Sequence, residues 1–403
     1  MTPASYKFRQ ASDFMYLTGF MEPSSAIVLR SNASSRHGYT YTFFHPLQTP
    51  TQALWDGART SSEDVQTTFS ADNVRAVDEF PGALKDLLRD INTDFVYIDL
   101  PPGQNGGARR GRTGGWKTLL QHLSSSGNSD SLLDALNSSS AGAKRRPLAP
   151  EVGRLRSIKS DTEQRVMRHA ADISGRAHAK VGGSHEICTG SQRPAYVPVV
   201  ASGPNALTIH YTANDQVIRA DELILVDAGC EYKSVTSLAR TWPATGRFTS
   251  AQAALYSAIL SAQKALVTMC TARSGLSLSD IHRRSVELLR KELISIGFQG
   301  LSEGRMSELY PHFIGHPVGI DLHESTHFER NSPLKPGMVI TIEPGIYVPP
   351  LPHYPKHFHN IGIRIEDEAL VGEDYPDVLS VNAPKEIADV EGACQGLLGL
   401  EPF

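Results

Sequence analysis

Apolar and polar residues alternate with the period of a β-strand in several short segments of the first hundred residues. The segments SSAIVLR and YTYTFFH predict neighbouring strands, and DFVYIDL predicts another. Between them, DEFPGALKDLLRDI has the apolar spacing that is typical of an amphipathic helix. The pattern therefore predicts a small α/β domain in this part of the chain.

The composition changes between Pro101 and Pro150. Gly is frequent at 103–115, and Ser-rich runs such as SSSGNSDS follow. Such low-complexity sequence is typical of a connector that builds no packed core. We therefore predict an N-terminal domain over 1–147, with 101–147 as a Gly/Ser-rich connector, and a second domain over 148–403.

Helical and strand-like patterns follow one another in the second domain. Ser160 and Glu163 form a capping-box signature that opens a helix over about 160–180. Two more helices are predicted over about 250–271 and 278–296. The strand-like segments are AYVPVVASG and ALTIHYTAND, which we expect to pair, then ELILVDAGCEY, MVITIEPGIYV and IGIRIEDEALV. This pattern predicts an α+β domain of antiparallel strands with helices on one side.

The composition is ordinary for a globular protein, with 40% apolar and 20% charged residues. A formal net charge of -4 gives no basic surplus to hold nucleic acid or an anionic membrane. No apolar run approaches the length of about 18 residues that spans a bilayer, and residues 1–20 lack the apolar core of a secretory signal. The four widely spaced cysteines predict reduced thiols in an intracellular protein.

Histidine and glutamate residues are concentrated on the last predicted strands. Gly and Pro near the first two histidines argue against a helix there, and each glutamate belongs to a β-branched run. Any one of these residues alone would most simply be structural, but a carboxylate that faces inward from a buried strand is costly unless a cation neutralises it. Their joint occurrence predicts a metal or acid–base site. The residues are His312, His316, His323, Glu343 and Glu366.

Motifs spread along the chain resemble those of the aminopeptidase P (Xaa-Pro aminopeptidase) family of pita-bread metallopeptidases. The motifs are FRQASDFMYLTGF, YVPVVASGPNALTIHYTANDQ, LVDAGCEY, TIEPGIYVP, PKHF and GIRIEDE. They are most similar to the branch of mitochondrial intermediate-cleaving peptidases, and the resemblance covers nearly all of the chain. It implies an α/β N-terminal domain followed by an α+β pita-bread catalytic domain.

The resemblance implies a centre of two divalent metals, usually manganese, bridged by water or hydroxide. By motif position, the metal ligands in this chain are Asp227, His316, Glu343 and Glu366. Hard carboxylate oxygens with one imidazole suit manganese. Glu343 would also handle the proton of the nucleophilic water.

The same resemblance implies roles for residues around the metals. His312 and His323 resemble catalytic histidines that stabilise the developing charge. His210 resembles a flap histidine that contacts substrate, with an ordinary loop histidine as the alternative interpretation. Arg364 is assigned to the substrate-binding part of the site, where it is expected to orient the carboxylate of Glu366.

Three features depart from the family pattern. Ser237 falls where a second aspartate ligand is expected, and a neutral hydroxyl replaces a bridging carboxylate poorly. The segment 181–194 is shorter than the helical segment expected there. The sequence also begins inside the first domain, without its usual first strand or a mitochondrial targeting segment.

The expected activity is metal-dependent removal of the N-terminal residue from peptides, favouring Xaa-Pro sequences or processing intermediates. The expected partners are peptide or protein N-termini, and the expected assembly is a homodimer or homotetramer. The predicted location is mitochondrial by resemblance, or cytoplasmic. Two alternatives remain: a catalytically impaired pita-bread protein that binds partners, because of Ser237, and a metal-free pita-bread enzyme.

Overall fold

The computed structural model describes residues 8–99, 144–180 and 190–397. The chain forms two compact units, Met1–Val152 and Gly153–Phe403. The domain boundary predicted after residue 147 lies shortly before this division. Most of the predicted connector 101–147, much of the shortened segment 181–194 and the first residues of the chain lie outside the described residues. None of the described helices combines the length and the apolar character needed to span a membrane.

The first unit contains a sheet of three strands, in which β1 pairs with β2 antiparallel and β2 pairs with β3 parallel. Phe80, Leu84 and Leu88 of its amphipathic helix α4 pack with Phe44 of β2. The predicted strands β1 and β2 and the helix α4 are confirmed, whereas DFVYIDL forms only the short β4. In chain order the elements are α1 Ser12–Thr18, β1 Ala26–Ser31, β2 Tyr39–His45, α2 Pro50–Asp56, α3 Ser62–Thr68, β3 Asn73–Ala76, α4 Phe80–Arg89, β4 Val96–Tyr97 and β5 Arg145–Arg146.

The second unit is built from short antiparallel strand pairs and long helices. One sheet has the order β10-β8-β7, another has the order β11-β14-β15, and β12 pairs with β13. The helix α5 begins just before this unit. The elements are α5 Ala149–Ser157, α6 Asp161–Ala179, β6 Arg193–Pro194, β7 Val199–Ser202, β8 Leu223–Asp227, β9 Cys230–Glu231, β10 Ala239–Pro243, α7 Ser250–Val267, α8 Leu278–Ser295, α9 Glu303–Leu309, β11 Val339–Ile342, β12 Gly345–Val348, β13 Ile361–Arg364, β14 Asp367–Leu370, β15 Asp377–Val378 and α10 Ile387–Cys394.

The three long helices begin close to where the sequence predicts them, because each has a local capping signal. The Ser160 hydroxyl accepts a hydrogen bond from the Glu163 N–H, and the Glu163 carboxylate accepts one from the Ser160 N–H, which confirms the capping box of α6. The helix α8 is capped by Ser277. The helix α7 is capped by Thr249, one residue before Ser250, where the sequence predicts the helix to begin.

The predicted pairing of AYVPVVASG with ALTIHYTAND is wrong. The strand β7 pairs antiparallel with β8, with Val200 opposite Val226. After β7 the backbone turns at Gly203, whose φ of 52° is left-handed, and Pro204 supplies no N–H to a strand ladder. The segment Gly203–Leu207 is therefore a 3-10 helix rather than a strand.

The main apolar core of the second unit lies between the long helices and the strand pair β12–β13. Leu255 and Ile259 of α7 and Leu289 of α8 belong to the same buried cluster as Ile346 and Ile363. Alternate residues of a strand point to opposite faces. Burial of the isoleucines against the helices therefore turns the neighbouring polar residues of these strands away from the helices, where they build the candidate site.

Candidate active site

Three acidic residues of the candidate site lie where strands end. Asp227 is the last residue of β8, Glu343 follows β11, and Glu366 lies between β13 and β14. The strand β10 connects Asp227 with Glu366. Its residue Ala239 pairs with Asp227 in the sheet, and the Ala239 carbonyl accepts a hydrogen bond from the Glu366 N–H at 3.0 Å. Residues far apart in sequence are thereby fixed side by side through the backbone.

His316 lies on an extended loop that runs beside β11. Its carbonyl accepts the N–H of Thr341 at 2.8 Å, and its own N–H donates to the Thr341 hydroxyl at 3.0 Å. A Cβ on Gly315 would lie 1.9 Å from the Thr341 carbonyl oxygen, so only glycine permits this close approach. The segment 312–316 is not helical, as predicted.

A cluster of three potential metal ligands forms at this point. The ligand atoms of His316, Glu343 and Glu366 all lie within 4.8 Å of one another, and His316 Nε2 lies 3.6 Å from Glu343 Oε1. His316 Nδ1 lies 3.1 Å from the Pro317 carbonyl oxygen, which can only accept, so Nδ1 carries the proton and Nε2 is free to bind a metal. Burial, with His323 nearby, lowers the pKa of His316 to about 4, which keeps the imidazole neutral.

The two glutamates of the cluster are buried, and their charges are poorly compensated. Burial raises the pKa of Glu343 to about 8, although Arg364 acts in the opposite direction. Burial also raises the pKa of Glu366 well above its usual range, and Glu343 and Asp227 add to this effect. Neither carboxylate oxygen of Glu366 has a hydrogen-bond partner among residues 8–99, 144–180 and 190–397. A neutral imidazole and two carboxylates, one of which has no hydrogen-bond partner among those residues, are a suitable ligand set for a divalent cation.

Asp227, the fourth predicted ligand, lies beside this cluster but is not one of its three members. Tyr196 donates its hydroxyl to Asp227 Oδ1 at 2.6 Å, and Arg364 Nη2 donates to Asp227 Oδ2 at 2.8 Å. Arg364 Nη1 donates to the Tyr347 hydroxyl at 2.6 Å. The predicted partner of Arg364 is therefore corrected: within the described residues the guanidinium donates to Asp227, and no hydrogen bond joins it to Glu366.

The three predicted histidines around the cluster have different environments. His312 is held between the Phe313 carbonyl and the Tyr347 hydroxyl, each 2.9 Å from a ring nitrogen, and burial lowers its pKa to about 4. His323 is exposed, with its ring centroid 4.4 Å from that of His316. His210 is exposed on a turn, and its charge contributes, after burial, to lowering the pKa of His323. Their catalytic and substrate-binding roles stay predictions.

Ser237 lies next to the cluster, two residues before β10. The Ser237 hydroxyl lies close enough to the Glu366 carboxyl to lower its pKa, although no well-formed hydrogen bond joins them, and burial and the neighbouring carboxylates outweigh this effect. Its N–H donates to Glu368 Oε1 at 2.7 Å. The residue is buried, so the position expected to hold a second aspartate instead presents a neutral hydroxyl to the interior.

Three residues that contact the predicted site were missed from the sequence. The Tyr196 hydroxyl donates to Asp227, and the Tyr347 hydroxyl accepts a hydrogen bond from Arg364. The Thr341 hydroxyl donates to Glu343 Oε1 at 3.2 Å. Thr341 could have been found, because residues two apart on a strand share a face. No such spacing in the sequence links the two tyrosines to their partners, because each partner belongs to a different element of the fold.

The fold and this His/Glu cluster define a pita-bread metallopeptidase. Residues 165–373 match the metallopeptidase family M24, and residues 2–97 match the N-terminal domain of aminopeptidase P. The chain therefore belongs to metallopeptidase family M24, which confirms both the predicted family and the predicted fold class. Membership also implies divalent metal ions as cofactors.

Relatives and solved structures agree with this assignment. The chain is 34% identical to Intermediate cleaving peptidase 55, mitochondrial, of Arabidopsis thaliana, over 96% of this chain and 75% of the relative. It is 32% identical to Xaa-Pro aminopeptidase 3 of Homo sapiens, over 96% and 77%. A crystal structure of Icp55 from Saccharomyces cerevisiae, 35% identical, superposes with a TM-score of 0.84 over 98% of this chain and 90% of that chain.

Proposed function

We propose that this protein is a metal-dependent aminopeptidase that removes the N-terminal residue from peptides, with a preference for Xaa-Pro sequences or processing intermediates. The observation that carries the proposal is the cluster of His316, Glu343 and Glu366, with both Glu366 oxygens buried and unpartnered in the described part of the chain. Similarity to Intermediate cleaving peptidase 55 and to Xaa-Pro aminopeptidase 3 supports the substrate class.

The donor set favours manganese, because two carboxylates and one imidazole are mainly hard ligands. His316, Glu343 and Glu366 would hold the ion, which when bound supplies Lewis acidity and an activated water. Glu343 borders this site, and we assign it the proton of the nucleophilic water.

The surrounding residues position peptide and cluster. Tyr347 fixes the ring of His312 through a hydrogen bond at 2.9 Å, so this histidine is held in one orientation at the edge of the site. His323 and His210 are exposed, and the pKa of His323 is lowered by burial and then by His210, so the two side chains lie near each other where a substrate can contact them. We assign His312 and His323 to stabilisation of the developing charge and His210 to substrate binding.

The proposed substrates are the N-termini of peptides or of proteins that have already been cut once. The Arabidopsis relative is named mitochondrial, and we propose the same location for this protein. Assembly as a homodimer or homotetramer stays a prediction.

The test compares two peptides that differ only in having Pro or Ala at the second position. The purified protein is incubated with each peptide and Mn²⁺, and release of the first residue is followed by mass spectrometry. We expect cleavage of the Pro peptide, its loss with EDTA and its loss in Glu343→Gln. A folded protein that carries bound metal and cleaves neither peptide would refute the proposal.

Ser237 favours a second candidate function, that of a pita-bread protein that binds peptides without cleaving them. The neutral side chain at this buried position removes a negative charge that the family centre is expected to have. The same peptides distinguish the two functions, because a binding protein would retain the intact Pro peptide in equilibrium dialysis. Cleavage that persists in EDTA would instead indicate a metal-free enzyme.

A further inference from the structure

We propose that the centre binds one divalent ion per chain, held by His316, Glu343 and Glu366, and that Asp227 serves as the counter-ion of Arg364 rather than as a metal ligand. The inference rests on the metal centre of the proposed function. It replaces the pair of ions that the family resemblance implies.

The first argument is the geometry of the donors. Among the residues that the structure describes, one group of three His, Cys, Asp or Glu side chains converges closely enough to hold a metal ion. That group consists of His316, Glu343 and Glu366. Three protein ligands leave coordination positions open for water and substrate, as in other catalytic metal sites.

The second argument is that both oxygens of Asp227 are already bound. Tyr196 donates to one oxygen at 2.6 Å, and the guanidinium of Arg364 donates to the other at 2.8 Å. The side chains of Asp227 and Arg364 are only 14% and 2% exposed. An ion at Asp227 would have to share oxygens that already accept hydrogen bonds, and it would lie beside a buried guanidinium whose positive charge repels it.

The third argument is the charge of the buried site. Asp227 is paired with Arg364, so these two residues contribute no net charge. Glu343 and Glu366 together carry two negative charges, which one divalent ion neutralises. A second ion would add two positive charges in a desolvated pocket, where Ser237 offers a hydroxyl and no compensating carboxylate.

The fourth argument concerns Glu368, a buried carboxylate that contacts Ser237. Glu368 accepts the N–H of Ser237 at 2.7 Å, so this oxygen points to the backbone of the segment before β10. Glu368 is not a member of the converging group of ligands within the described residues. It therefore does not replace the aspartate that is missing at position 237.

The test measures how many ions are bound, independently of catalysis. The protein is stripped with chelator and dialysed against Mn²⁺, bound metal is measured by elemental analysis, and the electron paramagnetic resonance spectrum is recorded. We expect one Mn²⁺ per chain with the spectrum of an isolated ion. Two ions per chain, or a spectrum of coupled ions, would overturn the inference and leave the proposed peptidase function standing.

Substitutions distinguish the proposed metal ligands from the residues that lie beside them. We expect His316→Ala to lose the ion and Asp227→Asn to retain one ion per chain, with circular dichroism confirming that each variant is folded. Loss of the ion in a folded Asp227→Asn variant would overturn the role given to Asp227. If that variant does not fold, the stoichiometry and spectrum of the unmodified protein still decide the question.

The role of Ser237 can be tested by a substitution that is expected to increase metal binding. Ser237→Asp is expected to raise occupancy above one ion per chain, whereas Ser237→Asn, of similar size but neutral, is expected to leave one. No gain in the aspartate variant would overturn the reason given for the single ion. No metal in the unmodified protein would overturn both this inference and metal-dependent catalysis, whereas peptide cleavage with two bound ions would overturn only the inference.

Discussion

Asp367 is the centre of a buried charge network whose removal should destabilise the second unit strongly. Arg240 Nη2 lies 2.7 Å from Asp367 Oδ1, and the two side chains are 3% and 0% exposed. Lys385 also binds the carboxylate, and Gln263 and Ser380 donate to it at 2.7 and 2.8 Å. Burial alone would raise the pKa of Asp367, but Arg240 and Lys385 hold it well below its usual range, so the carboxylate is ionised.

The substitution Asp367→Asn keeps the shape of the side chain and removes its charge. Arg240 then remains buried without a full counter-charge, and removal of one partner of a buried ion pair typically costs about 3–5 kcal/mol. The matched control is Asp377→Asn, because Asp377 pairs with Arg168 at the surface, where the side chains are 50% and 43% exposed. An exposed pair contributes only about 0–1 kcal/mol.

The assay is equilibrium denaturation in urea, followed by far-ultraviolet circular dichroism, for the unmodified protein and both variants. We expect Asp367→Asn to lower the free energy of unfolding by about 2 kcal/mol or more relative to Asp377→Asn. Metal affinity should fall as well, because Arg240 Nη1 donates to the backbone carbonyl of Glu366. A difference of less than about 1 kcal/mol between the variants would refute the reasoning, since it would place the pair in the range measured for surface ion pairs.

Three further predictions follow from contacts in the second unit. Glu343→Gln should lower kcat by about 100-fold or more, because it removes both a proposed metal ligand and the proposed proton acceptor; steady-state kinetics and elemental analysis of bound metal check this. Tyr347→Phe should lower the free energy of unfolding by about 1–3 kcal/mol, because Arg364 loses a buried acceptor; urea denaturation measures it. Hydrogen bonds from Ser277 lower the pKa of Asp280 to about 2, so its stabilisation is present above about pH 4 and is lost as the pH falls towards 2. Thermal unfolding across that range should show Asp280→Asn and the unmodified protein converging in acid.

Local signals made much of the fold predictable. The capping box at Ser160 and the apolar spacing of α4 act within a few residues, so the sequence alone defines those helices. Strand pairing depends on distant segments, and here prediction failed: β7 pairs with β8 because Gly203 and Pro204 end the strand before ALTIHYTAND. The periodicity of a strand indicates which face is buried, but it does not identify the neighbouring strand.

The same distinction applies to the site. Glu343 and Glu366 could be predicted from their inward positions in β-branched runs, and family resemblance added Asp227. The partner of Arg364 could not be predicted, because it reaches across from β13 to the end of β8. Whether Asp227 is a metal ligand or a counter-ion depends on its distance from Arg364, and that distance is set only when the strands have paired.

Glu366 and Asp367 show how a buried carboxylate that awaits a cation differs from one that already has its partners. They are adjacent in sequence and both buried, yet their pKa values move in opposite directions. Asp367 is surrounded by Arg240 and Lys385, whereas both Glu366 oxygens lack a partner among the described residues. Because Glu366 also converges with His316 and Glu343, its uncompensated charge fits a cation from outside the chain. By this criterion we expect Glu366 to be a metal ligand and Asp227, which is paired with Arg364, to resemble Asp367.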